Sequence, residues 1–222
     1  EPTGDTRALT TLTPLIPCRP TKMIALWNNL HAAAEKNGWT VPSDPLYFIK
    51  PPSSFIPHGA AVRRPASYDG RILYEGELGI VIGRTCRDVS VGEADDVVFG
   101  YTCINDVTAL EMITADPAFA QWSRAKSFDT FGAFGPVIAT GLDPDALRVK
   151  TLVGGKERQD YAVSDMIFSP RQLVSLISRD TTLEAGDVIA CGTSLGAMPM
   201  RANVLIEVSI EGIGVLANAL AE

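Results

Sequence analysis

Between Arg71 and Gly83, the apolar residues Ile72, Tyr74, Leu78, Ile80 and Ile82 fall on every second position, the period of a β-strand. Glu75 and Glu77 have the opposite parity, so they leave the strand on the same face, roughly 7 Å apart by strand rise. The residue between them is Gly76, which puts no side chain on the other face and lets another element approach closely. No Lys or Arg lies between Leu73 and Gly83. Two like charges in a largely apolar strand are unfavourable unless water or a cation answers them. A hard, oxygen-seeking cation is one answer, and a solvated strand face is the other.

The rest of the chain fits a body built mostly of antiparallel strands. Strand-like runs at 72–83, 97–105, 134–140, 147–153, 187–192 and 203–217 are separated by turn signals such as Gly154-Gly155 and Glu184-Ala-Gly-Asp187. Helical stretches are expected at 108–115 and 170–178. The second is opened by Ser169 as N-cap and Pro170 at the first helical position. Lys22–Gly38 reads as a helix stopped by Gly38, although Met23–Trp27 reads equally well as a strand. A run of prolines between Pro42 and Pro65 sets a small N-terminal part, 1–65, apart from the main body, 66–222.

Composition excludes several classes of function. The formal net charge is −7 and no basic run exceeds Arg63-Arg64, which argues against nucleic acid as a partner. No apolar stretch approaches the roughly 20 residues needed to span a bilayer. Glu1–Asp5 is acidic and polar, unlike a signal peptide. Cys18, Cys86, Cys103 and Cys191 are scattered, as expected for reduced thiols in a cytoplasmic protein. With two histidines in the chain, zinc is disfavoured.

Asp106 ends the strand-like run Phe99–Asp106 and is followed by an expected helix. Thr108 and Glu111 already have capping-box spacing there, which leaves Asp106 less needed as an N-cap. Glu75, Glu77 and Asp106 together would form an all-oxygen site suited to Mg²⁺, Mn²⁺ or Ca²⁺. Lys126 could anchor a substrate carboxylate or an enolate oxygen, or be an ordinary solvated lysine. His31 and Glu35 share a helical face at i, i+4 and could form a water-activating dyad or a plain surface pair. Gly192-Thr-Ser-Leu-Gly196 has the nucleophile-elbow pattern, but both histidines precede Ser194 and none follows, so a glycine-built turn is the better account.

Taken in order, Pro45–Pro51, Glu75-Gly-Glu77, Gly100–Asp106, Lys126–Phe131, Met166–Ser169, Thr182–Ile189 and Gly212–Asn218 resemble the fumarylacetoacetate hydrolase superfamily from about residue 17 onward. The resemblance implies an α+β, mainly β fold, a mixed β-sandwich roll with a small N-terminal α/β part carrying a lid-like helix, and a homodimer. It places Glu75, Glu77 and Asp106 on metal ligands, for Mg²⁺ or Mn²⁺, and Lys126 and Thr193 on substrate-contacting positions. His31 and Glu35 look like the His/Glu dyad of hydrolytic members, with a spacing of four in place of three. Many relatives carry Arg and Gln where this chain has Leu110 and Ile113, which implies a less polar substrate. The expected substrate is a small 2-oxo or 1,3-dicarbonyl acid from aromatic catabolism. The expected reaction is metal-dependent C–C hydrolysis of an acylpyruvate through a metal-stabilised enolate. Isomerisation (tautomerisation) or decarboxylation of a 2-oxo or hydroxydienoic acid is the alternative, and a metal-binding relative without turnover a further one.

Overall fold

The computed structural model describes residues 12–222. Glu1–Asp5, read above as unlike a signal peptide, lie outside the described residues. The elements run β1 (Met23–Trp27), α1 (His31–Asn37), β2 (Leu46–Lys50), β3 (Phe55–Ile56), β4 (Ile72–Leu73), β5 (Gly76–Ile82) and α2 (Ala94–Val97). They continue with β6 (Val98–Asp106), β7 (Thr108–Ala109), α3 (Trp122–Lys126), β8 (Gly132–Ala139), β9 (Arg148–Val153) and β10 (Lys156–Ala162). Last come α4 (Pro170–Asp180), β11 (Val188–Ala190), β12 (Leu205–Ile210) and β13 (Gly214–Ala219).

One mixed sheet has the order β2-β1-β11-β5-β6-β8-β3, and a second, antiparallel sheet has the order β10-β9-β12-β13. In the first sheet β1 runs parallel to β11 and β3 parallel to β8; the other pairings are antiparallel. The α+β, mainly β architecture expected from the sequence is therefore observed. Every residue of β5 is buried. Leu78, Ile80 and Ile82 face a core shared with Val149, Ile206 and Val208 of the second sheet, whereas Val81 packs on the other side with Met23, Phe48 and Phe134. Gly76 is a point of close approach between the sheets. A Cβ there would sit 2.0 Å from Thr151 Oγ1 of β9, so the glycine is required by contact, as its parity in β5 implied.

Several elements differ from the expectation: the runs at 72–83 and 203–217 are each two strands, β4 with β5 and β12 with β13. Met23–Trp27 is a strand, because it is paired on both edges, with β2 and with β11, so the helix shrinks to His31–Asn37. It does end at Gly38, which takes the left-handed conformation at φ 66°. The 108–115 stretch is no α-helix: β7 pairs with β4, a short 3₁₀ turn follows, and Leu110 N–H donates to Arg71 O. Strand β10 has no alternating apolar signal, because its sequence, Lys-Glu-Arg-Gln-Asp-Tyr-Ala, is mostly polar and only Gln159 and Tyr161 turn inward. By contrast α4 starts as expected, with a capping box between Ser169 and Gln172.

The Pro-rich boundary near residue 65 does not separate two sheets. Strands β1, β2 and β3, all ahead of it, belong to the same sheet as β5, β6 and β8. Consequently Lys50, at the end of β2, points into the same buried region as Asp106 at the end of β6. Among the described residues no helix is long and apolar enough to cross a membrane. All four cysteines are unpaired, with Cys103 and Cys191 buried.

Candidate active site

Glu75 immediately precedes β5, Glu77 is its second residue, and Asp106 ends the neighbouring β6. The β5–β6 register places Gly76 opposite Asn105, so the three carboxylates converge, with one oxygen of each within 4.8 Å of the others. Backbone and side chain fix them locally. Asp106 N–H donates to Glu75 O, Asn105 Oδ1 accepts from Glu75 N–H, and Thr108 Oγ1 donates to Glu75 Oε1 at 2.6 Å. Thr108 is thus a partner of the acidic cluster, not the helix cap its spacing suggested.

Lys126, the last residue of α3, closes the cluster. Its Nζ donates to Glu75 Oε2 at 2.6 Å and to Asp106 Oδ2 at 2.5 Å. The sequence left open whether this lysine was solvated; it is 2% exposed, and its Nζ also sits 5.1 Å from the centre of the Phe48 ring. From the opposite side Lys50 Nζ lies 2.6 Å from Asp106 Oδ1 and donates to the carbonyl of Lys126. Lys50 had no role in the sequence reading. Its one signal is a lysine closing an apolar run, Leu46-Tyr-Phe-Ile, just before Pro51.

The charges shape the titration of each group. Burial is the largest influence on Asp106 and would raise it, but the ammonium groups of Lys126 and Lys50 outweigh burial and hold the carboxyl below its usual range. Burial likewise works against the Lys126 cation, and the charges of Asp106, Glu75 and Glu77 overturn it, so Lys126 stays firmly protonated. For Glu77, burial dominates and the Asp106 charge adds to it, which pushes its carboxyl well above the ordinary value. Lys50 is held below its usual value by burial, against the pull of Asp106.

Whether a divalent cation fits can be judged from the oxygens. Glu77 Oε2 accepts from Gly192 N–H at 2.8 Å, but Oε1 is buried with no hydrogen-bond partner. Asp106 Oδ1 has the Lys50 ammonium beside it without hydrogen-bond alignment. Three carboxyl groups face two lysines, and Glu77 Oε1 is left as an orphaned buried oxygen. An all-oxygen donor set of this kind suits Mg²⁺ or Mn²⁺.

Glu75 and Lys126 open onto a cavity of about 450 Å³. Its walls come from Trp27 of β1, Phe48 of β2, Leu110 and Ile113 after β7, Trp122 of α3, and the 193–197 turn. Thr193 lines it too, its hydroxyl donating to Gly76 O and accepting from Gln159 Nε2. The Gly192–Gly196 segment is a turn with both glycines at positive φ, in agreement with the rejection of a nucleophile elbow. His58 accepts the Ala217 N–H and lies outside the cavity lining. Helix α1 borders the cavity through Ala33 and Asn37, which are i, i+4 to each other. His31 and Glu35 precede those positions by two residues, roughly 200° around the helix. Both are exposed to solvent and neither lines the cavity.

Residues 22–221 match the model of the fumarylacetoacetate (FAA) hydrolase C-terminal family. The chain belongs to the fumarylacetoacetate hydrolase family. An uncharacterised protein of Archaeoglobus fulgidus is 44% identical over 210 residues, which is 95% of this chain and 82% of that protein. A mitochondrial oxaloacetate tautomerase of Arabidopsis thaliana is 36% identical over 196 residues, 87% of each chain. The crystal structure of a 5-carboxymethyl-2-hydroxymuconate delta-isomerase from Mycobacterium smegmatis superposes with a TM-score of 0.89 at 38% identity, covering 99% of this chain and 86% of that one. Members of the fumarylacetoacetate hydrolase family commonly bind a divalent metal, in keeping with the cluster of Glu75, Glu77 and Asp106.

Proposed function

We propose that the protein is a metal-dependent tautomerase of a 2-oxo acid, interconverting its keto and enol forms. The observation that carries this reading is the composition of the cavity floor. A protonated lysine and an acidic cluster meet there, while His31 and Glu35, the pair expected to activate water for C–C hydrolysis, stay outside the lining. Tautomerisation needs only that a proton leave the carbon beside the carbonyl and that one reach the oxygen. The names of the relatives, an oxaloacetate tautomerase and a muconate isomerase, support the same alternative over hydrolysis.

Glu75, Glu77 and Asp106 would hold Mg²⁺ or Mn²⁺, which when bound supplies Lewis-acid stabilisation of charge on the substrate oxygens. The remaining work falls to the chain. Lys126 presents a fixed ammonium beside Glu75, where it can share the enolate charge and hold the proton at the substrate oxygen. Lys50 fixes Asp106 from behind, and Thr108 fixes Glu75, so neither carboxylate must reorganise during reaction. The Thr193 hydroxyl offers a lone pair at the cavity edge.

The experiment supplies purified protein and Mn²⁺ with enol-form oxaloacetate and, separately, with acetylpyruvate. Loss of enol absorbance faster than in buffer, with no CO₂ and no new acid, is the expected result. Release of acetate and pyruvate from acetylpyruvate would overturn it in favour of hydrolysis, and CO₂ from oxaloacetate in favour of decarboxylation.

A further inference from the structure

All three tryptophans of the chain stand in the wall of this one cavity. They come from separate places: Trp27 ends β1, Trp39 follows α1, and Trp122 opens α3. The Trp27 ring lies 5.0 Å from Trp39 and 5.6 Å from Trp122, and Trp122 stacks on Phe48 at 5.9 Å with 16° between the planes. Trp39 is 39% exposed and the other two are partly exposed, so this aromatic surface is not spent on the core. Leu110, Ile113 and Leu195 make further apolar wall.

Charge is scarce by comparison. Among the described residues, Glu75 and Lys126 are the charged side chains of the lining, and the Lys126 ammonium, held beside Glu75 and Asp106, serves the 2-oxo end of the substrate in the proposed reaction. A substrate with a second carboxylate at its far end would press that anion against apolar walls with no free cation to meet it. An aromatic ring there would meet the exposed parts of these rings and the aliphatic wall, with no charge to desolvate.

From this we infer that the substrate is an arylpyruvate, a 2-oxo acid bearing an aromatic ring on the carbon next to its carbonyl. The wall of Trp27, Trp39, Trp122, Leu110 and Ile113 selects it over 2-oxo dicarboxylates. The inference rests on the tautomerase reading and names its substrate class. In the reaction the C–H bond between carbonyl and ring breaks and its proton passes to water. The electron pair forms the C=C bond of the enol, and the carbonyl oxygen takes up one proton. Nothing is oxidised and no atom is gained or lost.

The test runs the full chain with Mn²⁺ on phenylpyruvate and on oxaloacetate, and titrates it calorimetrically with N-phenyloxamate and with N-oxalylglycine. These two ligands are unreactive and share one head, but one ends in a phenyl ring and the other in a carboxylate. The expected result is a kcat/KM higher by about tenfold or more for phenylpyruvate, and a similar advantage in affinity for N-phenyloxamate. Trp122→Ala should erase most of that advantage. Ile113→Arg, at a half-exposed turn that tolerates a longer side chain, should invert it by supplying a cation for the distal carboxylate. A preference for oxaloacetate and for N-oxalylglycine would overturn the inference while the tautomerase reading stood. If neither acid were tautomerised, the tautomerase reading would fall. The two titrations would then decide the cavity's preference, and equal or tighter binding of N-oxalylglycine would end it.

Discussion

Lys50 Nζ stands 2.6 Å from Asp106 Oδ1, and neither side chain has any exposure to solvent. The ammonium also donates to the carbonyls of Val107 and Lys126, so one side chain ties β2 to the end of β6 and to α3. This pair explains how three carboxylates can be packed at the end of a sheet. Each of Asp106's two oxygens faces an ammonium, one from Lys50 and one from Lys126.

Removing Lys50 should therefore destabilise the fold strongly. Lys50→Met keeps the volume but leaves a buried carboxylate with one partner fewer, and breaking a buried pair in this way costs about 3–5 kcal/mol. Urea unfolding of the two proteins without metal measures it. A loss under about 1 kcal/mol would mean that Lys126 alone suffices to hold Asp106.

Glu77 invites the opposite expectation. Its Oε1 has no partner and its carboxyl is pushed up by burial and then by Asp106, so the charged form is a burden to the metal-free protein. Glu77→Gln retains an oxygen for the Gly192 N–H and removes the charge. Metal-free stability should hold or rise, while stabilisation by Mn²⁺ disappears. For the natural chain that stabilisation is about 2.7 kcal/mol at a metal concentration 100 times Kd. Differential scanning calorimetry with and without Mn²⁺ checks both halves, and an undiminished Mn²⁺ shift in the variant would remove Glu77 from the ligand set.

Much of this site was legible in the sequence because strand periodicity is local. Parity alone put Glu75 and Glu77 on one face and showed that Gly76 permits a close approach, now identified as Thr151. Asp106 was singled out by its place at the end of a strand-like run and by a capping-box spacing at Thr108 and Glu111, and the structure gives Thr108 to Glu75 instead of to a cap. What escaped depends on pairing between distant segments. Whether Met23–Trp27 is helix or strand is decided by β2 and β11 on its two edges. The i, i+4 spacing of His31 and Glu35 holds in the structure, yet spacing does not say which way a helix face turns. Lys50 was invisible as a site residue because its partner lies 56 positions further along the chain. The convergence of three tryptophans from three elements has no local signature at all.

Lys126 separates catalysis from metal binding. Lys126→Gln removes the ammonium that contacts Glu75 and Asp106 but spares all three carboxylates, so these oxygens lose a competing cation. Affinity for Mn²⁺ should stay or increase, while kcat for tautomerisation falls about 10²–10³-fold, the scale of losing one preorganised electrostatic contact to a developing oxyanion. Calorimetric Mn²⁺ titration beside enol-decay kinetics distinguishes the two effects. Parallel loss of both would make Lys126 a structural support for the ligands and not a group that acts on substrate.

Asp187 controls how the N-terminal segment is held against β11, away from the cavity. Its carboxylate accepts hydrogen bonds from Thr21 N–H at 3.0 Å, Thr21 Oγ1 at 2.7 Å, Lys22 N–H at 3.1 Å, Lys22 Nζ at 2.5 Å and Glu184 N–H at 2.9 Å. Burial alone would raise this carboxyl, but the bonds from Lys22, Glu184 and Thr21 outweigh it and hold it below the usual carboxylate value. A group depressed in the folded state stabilises fully above its unfolded value, about 3.9, and progressively less as pH falls through that value toward the folded one. Asp187→Asn should thus cost about 2–3 kcal/mol near neutral pH, where the charge-assisted bonds are complete. The penalty should shrink below about pH 4, as the natural carboxylate becomes protonated. Urea unfolding of both proteins across pH 3 to 7 measures the difference, and a gap that stays constant over that range would show that the charge of Asp187 contributes nothing to the fold.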